Sequence, residues 1–403
     1  MAAVTGNDPS YGEVVLGLPE GRRSIGLVFK RTYVFRDGGG CEAAEEDQQE
    51  PLTFGEVSYE DLEPPHISPV WLDNDMFAFR RKTDLVVQGN AYTYFSGVAM
   101  THVAVRVGSF ERSIRVYGDR RIVRGLDGAL QFTSPEPFDA MPVRYDRAYG
   151  GVDVTALRRC PPPKMLRELA QANPDLPIDT DTPFHYPRNP CGRGFLIDDD
   201  EESLAAVQVP NLEFPFDWIT PERLATGSVD GWVTAPLPAC MDWQSAGWFP
   251  RIAYLGGAIF PPDYRGPVRE TELGWAAADL VDIQPITTQL EELPRFEFTQ
   301  GASAGMSLDS VSPGELVELR NLHPVYPFCT FRLPDETPRV RMELRAGEWA
   351  ALEPHLNAVV IRPDGDEVVM IWCASAPVDH AFRPDNPDGL RREVSWELNG
   401  GMR

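Results

Sequence analysis

Residues 101–117, THVAVRVGSFERSIRVY, carry the clearest secondary-structure pattern of the chain. Valine recurs at every second position from Val103 to Val107, and the second half alternates isoleucine and valine with polar residues. A period of two residues is typical of a β-strand with one buried face. Gly108-Ser109 separates the two runs and predicts a tight turn, because glycine accepts a positive φ. The stretch therefore predicts an antiparallel β-hairpin.

Similar patterns occur towards both ends of the chain. Residues 24–35 (SIGLVFKRTYVF) are rich in β-branched and aromatic side chains, and residues 357–361 and 367–372 flank Arg362-Pro-Asp-Gly-Asp, a natural hairpin tip. Proline occurs 38 times and glycine 34 times, and proline is tolerated at turns and strand edges but not in helix interiors. We therefore expect a mainly β, antiparallel fold, sandwich-like or barrel-like, with long ordered loops and a few short helices.

Helical patterns are short. Residues 163–173 (PKMLRELAQAN) begin with proline, place Leu166, Leu169 and Ala170 on one face, and are followed by another proline, which predicts one helix. Residues 347–356 predict a further helical turn or two. No internal repeat with a fixed period is present, so a propeller or solenoid is not supported.

The length of 403 residues suggests two or three domains, or one large β-rich domain with lobes. We expect residues 1–335 to form a β-rich domain, with a possible split into two lobes near 150–215. Residues 336–403 are predicted to form a small C-terminal β-hairpin region packed on it.

The charge balance excludes several classes of partner. The chain has 37 Lys plus Arg against 61 Asp plus Glu, a net charge of −24. Phosphate backbones and anionic membrane surfaces attract concentrations of basic residues, so neither a nucleic acid nor a membrane is expected as a partner. No Lys or Arg occurs between Asp37 and Phe79, and residues 38–51 predict a solvated acidic loop, with an acidic docking patch over 37–63 as the alternative.

The spacing of the cysteines and the sequence of the first ten residues indicate the cellular compartment. The six cysteines lie at least 31 residues apart, so no C-x-x-C pair for zinc or thiol exchange exists. The first ten residues, MAAVTGNDPS, lack the basic and apolar segments of a secretory signal, and no apolar run approaches membrane-spanning length. We expect a cytoplasmic protein with free thiols.

One pattern for nucleophilic catalysis is present. Gly301-Ala-Ser-Ala-Gly305 fits G-x-S-x-G, in which a strand-to-helix turn exposes the serine oxygen, here Ser303. The residues that follow have no helical face and stop at Pro313, and the chain lacks the strand–helix alternation of a parallel sheet. A loop of small residues is the favoured interpretation of this motif.

Patterns for metals and cofactors are weak. The six histidines are never paired at i, i+2 or i, i+4, as a strand or helix site would need. Residues 198–202 (DDDEE) and Asp73-Asn-Asp75 lack the spacing and central glycine of a calcium loop, and a solvated loop is the preferred interpretation of the first. Neither G-x-x-x-x-G-K-[ST] nor a strand-to-helix G-x-G-x-x-G is found. We expect no metal and no cofactor.

Five short strings occur in a characteristic order. They are KTDLVVQGNAY at 82–92, RVYGDR at 115–120, PFDAMPVRYDRAYGG at 137–151, NPCGRGF at 189–195 and PNLE at 210–213. In this order the chain resembles the bacterial domain-of-unknown-function family 2169, over roughly residues 15–335 and most densely over 82–213. The resemblance implies a protein encoded beside type VI secretion effectors and spike proteins, acting as an adaptor or chaperone that loads an effector onto the spike.

The chain departs from the pattern of this family at two places. The element Trp248-Phe-Pro-Arg251 is intact, but Ala253-Tyr-Leu-Gly-Gly-Ala follows in place of the usual Gly-Thr-Tyr-Asp type segment. Where members tend to carry Ala-Pro-x-Asp-Gln, this chain has Gln300-Gly-Ala-Ser-Ala-Gly. The second departure falls on the G-x-S-x-G motif, so the resemblance argues further against a catalytic Ser303.

The third, fourth and fifth strings supply the candidate partner-binding residues. These are Tyr145, Arg147, Tyr149, Asn189, Arg193 and Asn211. Tyrosine and arginine are enriched at interface hot spots, so one interpretation of these residues is a recognition surface. The other is that they brace the fold through buried hydrogen bonds, with the glycines at 150 and 151 allowing an unusual backbone. The brace is the favoured interpretation.

The function expected from the sequence is a non-catalytic cytoplasmic adaptor that binds a secreted effector, a spike-tip protein or both. The alternative is a hydrolase acting on carbohydrate or ester bonds, which would need two carboxylates or a serine–histidine contact in a concave site. The oligomeric state is left open by the sequence.

Overall fold

The structure is a computed structural model of the chain. It describes residues 2–3, 11–17, 23–62, 67–77, 80, 82–162, 164–174, 180–254, 300–345, 348–378 and 394–399.

The described residues form many strands, here numbered in chain order. They are β1 (Ala2–Ala3), β2 (Tyr11–Gly17), β3 (Arg23–Phe35), β4 (Cys41–Ala43), β5 (Val57–Ser58), β6 (Val70–Leu72), β7 (Thr83–Val87), β8 (Asn90–Tyr92), β9 (Met100–Val107), β10 (Phe110–Tyr117), β11 (Ile122–Arg124), β12 (Leu130–Phe132), β13 (Ala140–Pro142), β14 (Tyr149–Gly150), β15 (Arg193–Gly194), β16 (Leu212–Glu213), β17 (Ser307–Leu308), β18 (Leu316–Arg320), β19 (Phe328–Arg332), β20 (Thr337–Arg345), β21 (Glu348–Leu352), β22 (His355–Arg362), β23 (Glu367–Val378) and β24 (Val394–Asn399).

Helices are few and short in the same ranges. The α-helices are α1 (Val154–Arg159), α2 (Lys164–Ala172), α3 (Glu201–Ala206) and α4 (Arg251–Tyr254), and 3₁₀ turns cover Glu46–Gln48, Tyr145–Arg147, Thr182–Phe184, Pro221–Arg223, Val229–Thr234 and Pro363–Gly365. None of these helices has the length and apolarity needed to cross a bilayer. The mainly β fold class is therefore confirmed.

The hairpin predicted at 101–117 is confirmed. Strands β9 and β10 pair in antiparallel fashion from Phe110 opposite Val107 to Tyr117 opposite Met100. Gly108 in the connecting turn has a φ of 55°, the left-handed region that glycine adopts without strain. The alternating valines and Ile114 are buried, as a period of two predicts.

The largest sheet has eight strands, in the order β1-β2-β3-β23-β22-β7-β17 with β4 beside β3. The second predicted hairpin, β22–β23, is confirmed, with its tip at Pro363–Gly365. It lies inside this sheet, because β23 pairs with β3 and β22 pairs in parallel with β7. The chain on both sides of the boundary predicted at residue 335 therefore builds one sheet.

A five-stranded antiparallel sheet, ordered β16-β10-β9-β18-β19, shares a hydrophobic core with the first. The ring of Phe35 on β3 stacks on that of Phe331 on β19, with centroids 4.0 Å apart. This packing corresponds to the sandwich-like alternative, and no closed barrel forms among the described strands. A second hydrophobic cluster, between Tyr149 and Phe249, contains Phe184, Tyr186 and Phe195 and lies within the segment that carries helices α1–α3.

The two helical predictions have different outcomes. Helix α2 occupies Lys164–Ala172, inside the predicted range of 163–173. The helical turn predicted for 347–356 is wrong, because Glu348–Leu352 forms strand β21 instead. Its residues are reasonable helix formers, but pairing with β20 satisfies their backbone groups, and tertiary context overrides weak local propensity.

Buried charges attach the loops to the larger sheet. Asp84 on β7 and Asp73 both accept from the guanidinium of Arg80, at 2.5 and 2.6 Å, and all three side chains are buried. Arg251, from the Trp248–Arg251 element, adds a second contact to Asp73 at 3.1 Å. Asp84 also accepts from the backbone N–H of Gly301 at 2.7 Å.

A second set of buried charges connects a residue on β3 with a residue on β22. Lys30 contacts Asp75 at 2.9 Å and Glu50 at 2.6 Å, and Arg362 contacts Glu50 at 2.7 Å. Glu50 therefore departs from the solvated loop predicted for 38–51, while the acids at 42 and 45–47 in that loop are exposed. Charges removed from water this completely are stable only when paired.

Replacing Arg80 with Met should lower the free energy of unfolding by roughly 3–5 kcal/mol, because Asp73 and Asp84 would lose a buried partner. Equilibrium urea unfolding measures this. The matched control is Lys82→Met, which breaks a solvent-exposed ion pair with Asp309 and should cost less than about 1 kcal/mol. Equal losses for the two variants would contradict the role given to the buried pair.

Candidate functional site

The six predicted partner-binding residues lie together. Tyr145 and Arg147 form the 3₁₀ turn that leads into β14, and β14 pairs in parallel with β15, so that Tyr149 is opposite Arg193. Asn189 precedes β15, and the backbone N–H of Asn211 donates to the carbonyl of Arg147 at 2.9 Å. Three separate motifs of the sequence therefore meet at one joint, formed by residues 145–151, 189–193 and 211.

Asn189 is the centre of this joint. Its side-chain Nδ2 donates to the carbonyls of Tyr145 and Tyr149, at 2.8 and 3.0 Å, and the side chain is fully buried. Its backbone carbonyl accepts from the N–H of Gly151 at 2.8 Å, and the thiol of Cys191 donates to its Oδ1 at 3.2 Å. Asn189 thus fixes the loop 145–151 against the loop that precedes β15.

The glycines of the motifs are required by this close approach. A Cβ on Gly150 would lie 2.2 Å from the carbonyl oxygen of Asn189, and one on Gly192 would lie 2.3 Å from its Nδ2. Gly151 also has a φ of 95°, which side chains other than glycine rarely adopt. The Gly-Gly pair and the glycine before Arg193 are therefore explained by packing around one asparagine.

Arg193 and Asn211 extend the network towards the surface. Arg193 donates through Nε to the carbonyl of Asp146 at 2.9 Å and through Nη1 to Oδ1 of Asn211 at 3.3 Å. Asn211 donates in turn through Nδ2 to Asp119 at 3.0 Å. Burial lowers the pKa of Arg193, and the neighbouring positive charge of Arg147 lowers it further.

Burial divides the six residues into two groups. Tyr145, Tyr149, Asn189 and Asn211 are fully buried, and they act as braces, as the favoured interpretation holds. Arg147 and Arg193 are partly exposed and are the members that a partner can reach directly. A direct role of this set in partner binding stays a prediction.

A cleft of about 190 Å³ opens beside the joint. Its walls include Gly150, Arg193 and the polar side chains of Asp153, Thr155 and Ser203. Asp153 caps helix α1 by accepting from the N–H of Thr155 and Ala156, and the Thr155 hydroxyl lies 2.6 Å from that of Ser203. Most of the polar lining is therefore engaged within the protein.

Ser303 occupies a buried loop rather than an exposed elbow. Its side chain is 1% exposed, and its hydroxyl donates to the carbonyl of Asp242 at 2.8 Å and lies 2.9 Å from the hydroxyl of Tyr145. The residues that follow form strand β17, not a helix. The pattern FEFT at 296–299, the candidate for the strand that enters this motif, lies outside the described residues. This geometry agrees with a loop of small residues.

Asp242 is an ionisable group inside the protein beside this loop. Its carboxylate accepts from Nε2 of Gln88 at 2.9 Å, from the hydroxyl of Tyr59 at 3.0 Å and from the backbone N–H of Trp243 at 2.7 Å. Burial nevertheless raises the pKa of Asp242 to about 7. The group therefore titrates near neutral pH.

The acidic segments considered for metals have other roles. Asp73 and Asp75 pair with buried Arg80 and Lys30, respectively. Residues 198–200 lie in a loop, but Glu201 and Glu202, predicted to belong to the same solvated loop, begin helix α3. Asp200 caps this helix by accepting from the N–H of Ser203; that bond and the contact with Arg159 lower the pKa of Asp200 to about 2. Within the described ranges, His, Cys, Asp and Glu side chains form no group of three or more that could hold a metal ion.

A turn with two exposed aromatic residues, the surface aromatic turn, follows the PNLE motif at 210–213. The sequence pattern did not predict it. Phe216 and Trp218 are 56% and 57% exposed, on a turn held by Asp217, which accepts from Arg223 and from the N–H of Leu237. The guanidinium of Arg115 lies 4.5 Å from the Trp218 ring. The aromatic residues recur at every second position, but the sequence does not show that two of them face solvent.

The fold and the joint define a mainly antiparallel β protein with braced surface loops. The family described as uncharacterized proteins conserved in bacteria (DUF2169) matches residues 20–373, and the chain belongs to this family. The match continues past the end predicted at residue 335 and covers β22 and the first part of β23, up to residue 373. No curated protein and no solved structure matches the chain.

Replacing Asn189 with Ala should destabilise the protein by roughly 2–4 kcal/mol, because the buried carbonyl of Tyr149 would lose its side-chain donor and that of Tyr145 would keep only the N–H of Ala148. Thermal and urea unfolding measure the change. Asn173→Ala is the matched control, since its side chain donates to the carbonyl of Leu169 at the surface, and we expect a loss below about 0.5 kcal/mol. If Asn189→Ala left stability unchanged, the brace interpretation would be wrong.

The pH dependence of stability should contain a contribution from Asp242. Its pKa in the folded protein is raised from 3.8 to about 7, so the protonated form is favoured by folding. Its contribution is fully present below about pH 4 and is lost as the pH rises through 7, by roughly 4 kcal/mol in total. Asp242→Asn should remove this part of the profile, measured by urea unfolding between pH 4 and 8. Parallel profiles for wild type and variant would contradict the assignment.

Proposed function

We propose that this chain is a non-catalytic adaptor that binds a type VI secretion effector in the cytoplasm and helps to load it onto a spike-tip protein. The order of the five motifs, and the resemblance drawn from it, give the biological context. Membership of an uncharacterized bacterial family is compatible with this context and carries no function of its own.

The observation that carries the proposal is the surface aromatic turn. Large aromatic side chains that remain exposed on a rigid support are the residues that dominate protein–protein interfaces. Phe216 and Trp218 flank Asp217, whose carboxylate accepts from Arg223 and from the backbone N–H of Leu237, and Arg223 also donates to the carbonyl of Trp218. Little conformational entropy would be lost on binding, because the support is already ordered.

The position of the turn supports a connection with the joint. The turn follows β16 directly, and β16 pairs with the end of β10, whose last three residues begin the RVYGDR motif. Arg120 of that motif contacts Glu213 on β16 at 2.7 Å, and both side chains are largely buried. The braced joint would therefore hold the aromatic turn in a fixed orientation for a partner.

Changing Phe216 and Trp218 together to Ser should weaken capture of the effector encoded beside the gene by at least about 30-fold, the effect of losing one hot-spot residue. Tagged wild type and variant are used to retain proteins from host lysate, followed by mass spectrometry and by titration of the purified effector. The unfolding free energy should change by less than about 1 kcal/mol, because both side chains are more than half exposed.

The control variant changes Phe95 and Leu126 to Ser, which removes exposed apolar side chains elsewhere, and it should retain the effector. In the host, deletion of the gene should abolish secretion of the effector but not of the tube protein. Normal secretion of the effector after deletion of the gene would contradict the proposal. Hydrolysis of ester or glycoside substrates that Ser303→Ala abolishes would replace it with the hydrolase alternative.

A further inference from the structure

The outer face of the five-stranded sheet differs in charge from the rest of the chain. One face of strands β9, β10, β18 and β19 is buried, and the residues between the buried positions turn to the other side. On that outer face, the charged residues are four arginines and three glutamates: Arg106, Glu111, Arg115, Glu213, Glu318, Arg320 and Arg332. The glutamate on β16, Glu213, is paired with Arg120. The balance is locally positive in a chain of net charge −24.

A shallow hollow of about 60 Å³ lies in this face. Its lining includes Ala104, and the cross-strand neighbours of Ala104 are Ser113 on β10 and Arg320 on β18. Small side chains at 104 and 113 leave space between the longer ones around them. The rim consists of Arg106, Glu111, Glu318, Arg320 and Phe328.

Three arginines on this face form no ion pair with a residue in the described ranges: Arg115, Arg320 and Arg332. Arg332 donates to the carbonyl of Gly314 at 3.1 Å, whereas Arg106 forms an ion pair with Glu318 at 3.2 Å. The side chain of Arg320 forms no hydrogen bond within the same ranges, and Arg320 is opposite Phe328, which is 52% exposed. Arg115 stacks on Trp218 and forms no ion pair within the same ranges.

The register fixes the spacing between these two arginine–aromatic pairs. Arg115 is opposite His102 and Arg320 is opposite Ala104 on the strand β9 that separates them. Two residues along a strand and two strands across a sheet correspond to roughly 12 Å. Side chains four residues apart in an extended peptide span about 13 Å.

We propose that this face binds an acidic, extended segment of a partner protein. One carboxylate enters the hollow beside Arg320 and Phe328, and a second binds Arg115 at the edge of Trp218. Arginine forms charge-assisted hydrogen bonds with carboxylates, and the adjacent rings exclude water from them. Nucleic acid is the poorer occupant, because its closely spaced phosphates would meet Glu111 and Glu318 on the same face, whereas two carboxylates four residues apart need to approach only the arginines.

This inference rests on the proposed function, since it names the chemistry of the segment that an adaptor would hold. The test uses the full purified chain and a rhodamine-labelled peptide of serine and threonine with two glutamates four positions apart. Fluorescence anisotropy at low salt should show that this peptide binds at least about tenfold more tightly than the same peptide with two glutamines. Arg115→Gln combined with Arg320→Gln should abolish the preference.

The matched control is Arg158→Gln combined with Arg167→Gln, which removes the same charge from exposed positions on α1 and α2. It should keep the preference for glutamate within about twofold. Equal binding of the two peptides, an equal loss in the control variant, or equal displacement by a single-stranded oligonucleotide would each overturn the inference.

The two proposals can fail separately. Effector capture that depends on Trp218, without any preference for the glutamate peptide, would overturn the inference and leave the adaptor function standing. A preference for the glutamate peptide that requires Arg115 and Arg320, without capture of an effector, would support the acidic-segment site and remove the adaptor function.

Discussion

Paired burial of charge is the constraint on which the rest of this structure depends. Asp84 extends from a strand inside the largest sheet and is fully desolvated, so it must be neutralised by Arg80 and by donors from the loop at 300–307. Arg80 in turn requires Asp73, and Asp73 requires Arg251. A chain of obligatory partners thus attaches loops that are distant in sequence to one sheet.

The same logic places the joint around Asn189. A single side-chain amide, from the loop that precedes β15, donates to two buried backbone carbonyls of the loop 145–151. The glycines allow the loops to approach that closely. The buried members are used internally, and Arg147, Arg193 and the aromatic turn are the exposed or partly exposed residues next to the joint, which the proposed function would use.

The charge on the protein surface is unevenly distributed, and the net charge does not reveal this. A net charge of −24 suggests a uniformly acidic surface, yet the outer face of the five-stranded sheet is arginine-rich. At physiological salt, charges are screened beyond about 8 Å, so a partner that docks on this face responds mainly to the local arginines. An acidic protein can therefore hold an acidic segment at a site of this kind.

Local patterns in the sequence determined both hairpins and helix α2, because alternation, turn glycines and helix-bounding prolines act over neighbouring residues. The ordered motifs determined the family. The position of β22–β23 inside the large sheet, the strand at 348–352, the burial of Tyr145 and Tyr149 and the exposure of Phe216 and Trp218 were decided only by the tertiary structure. Each depends on contacts between residues far apart in the chain, and a pattern of neighbouring residue types contains no record of which distant segment will cover a side chain.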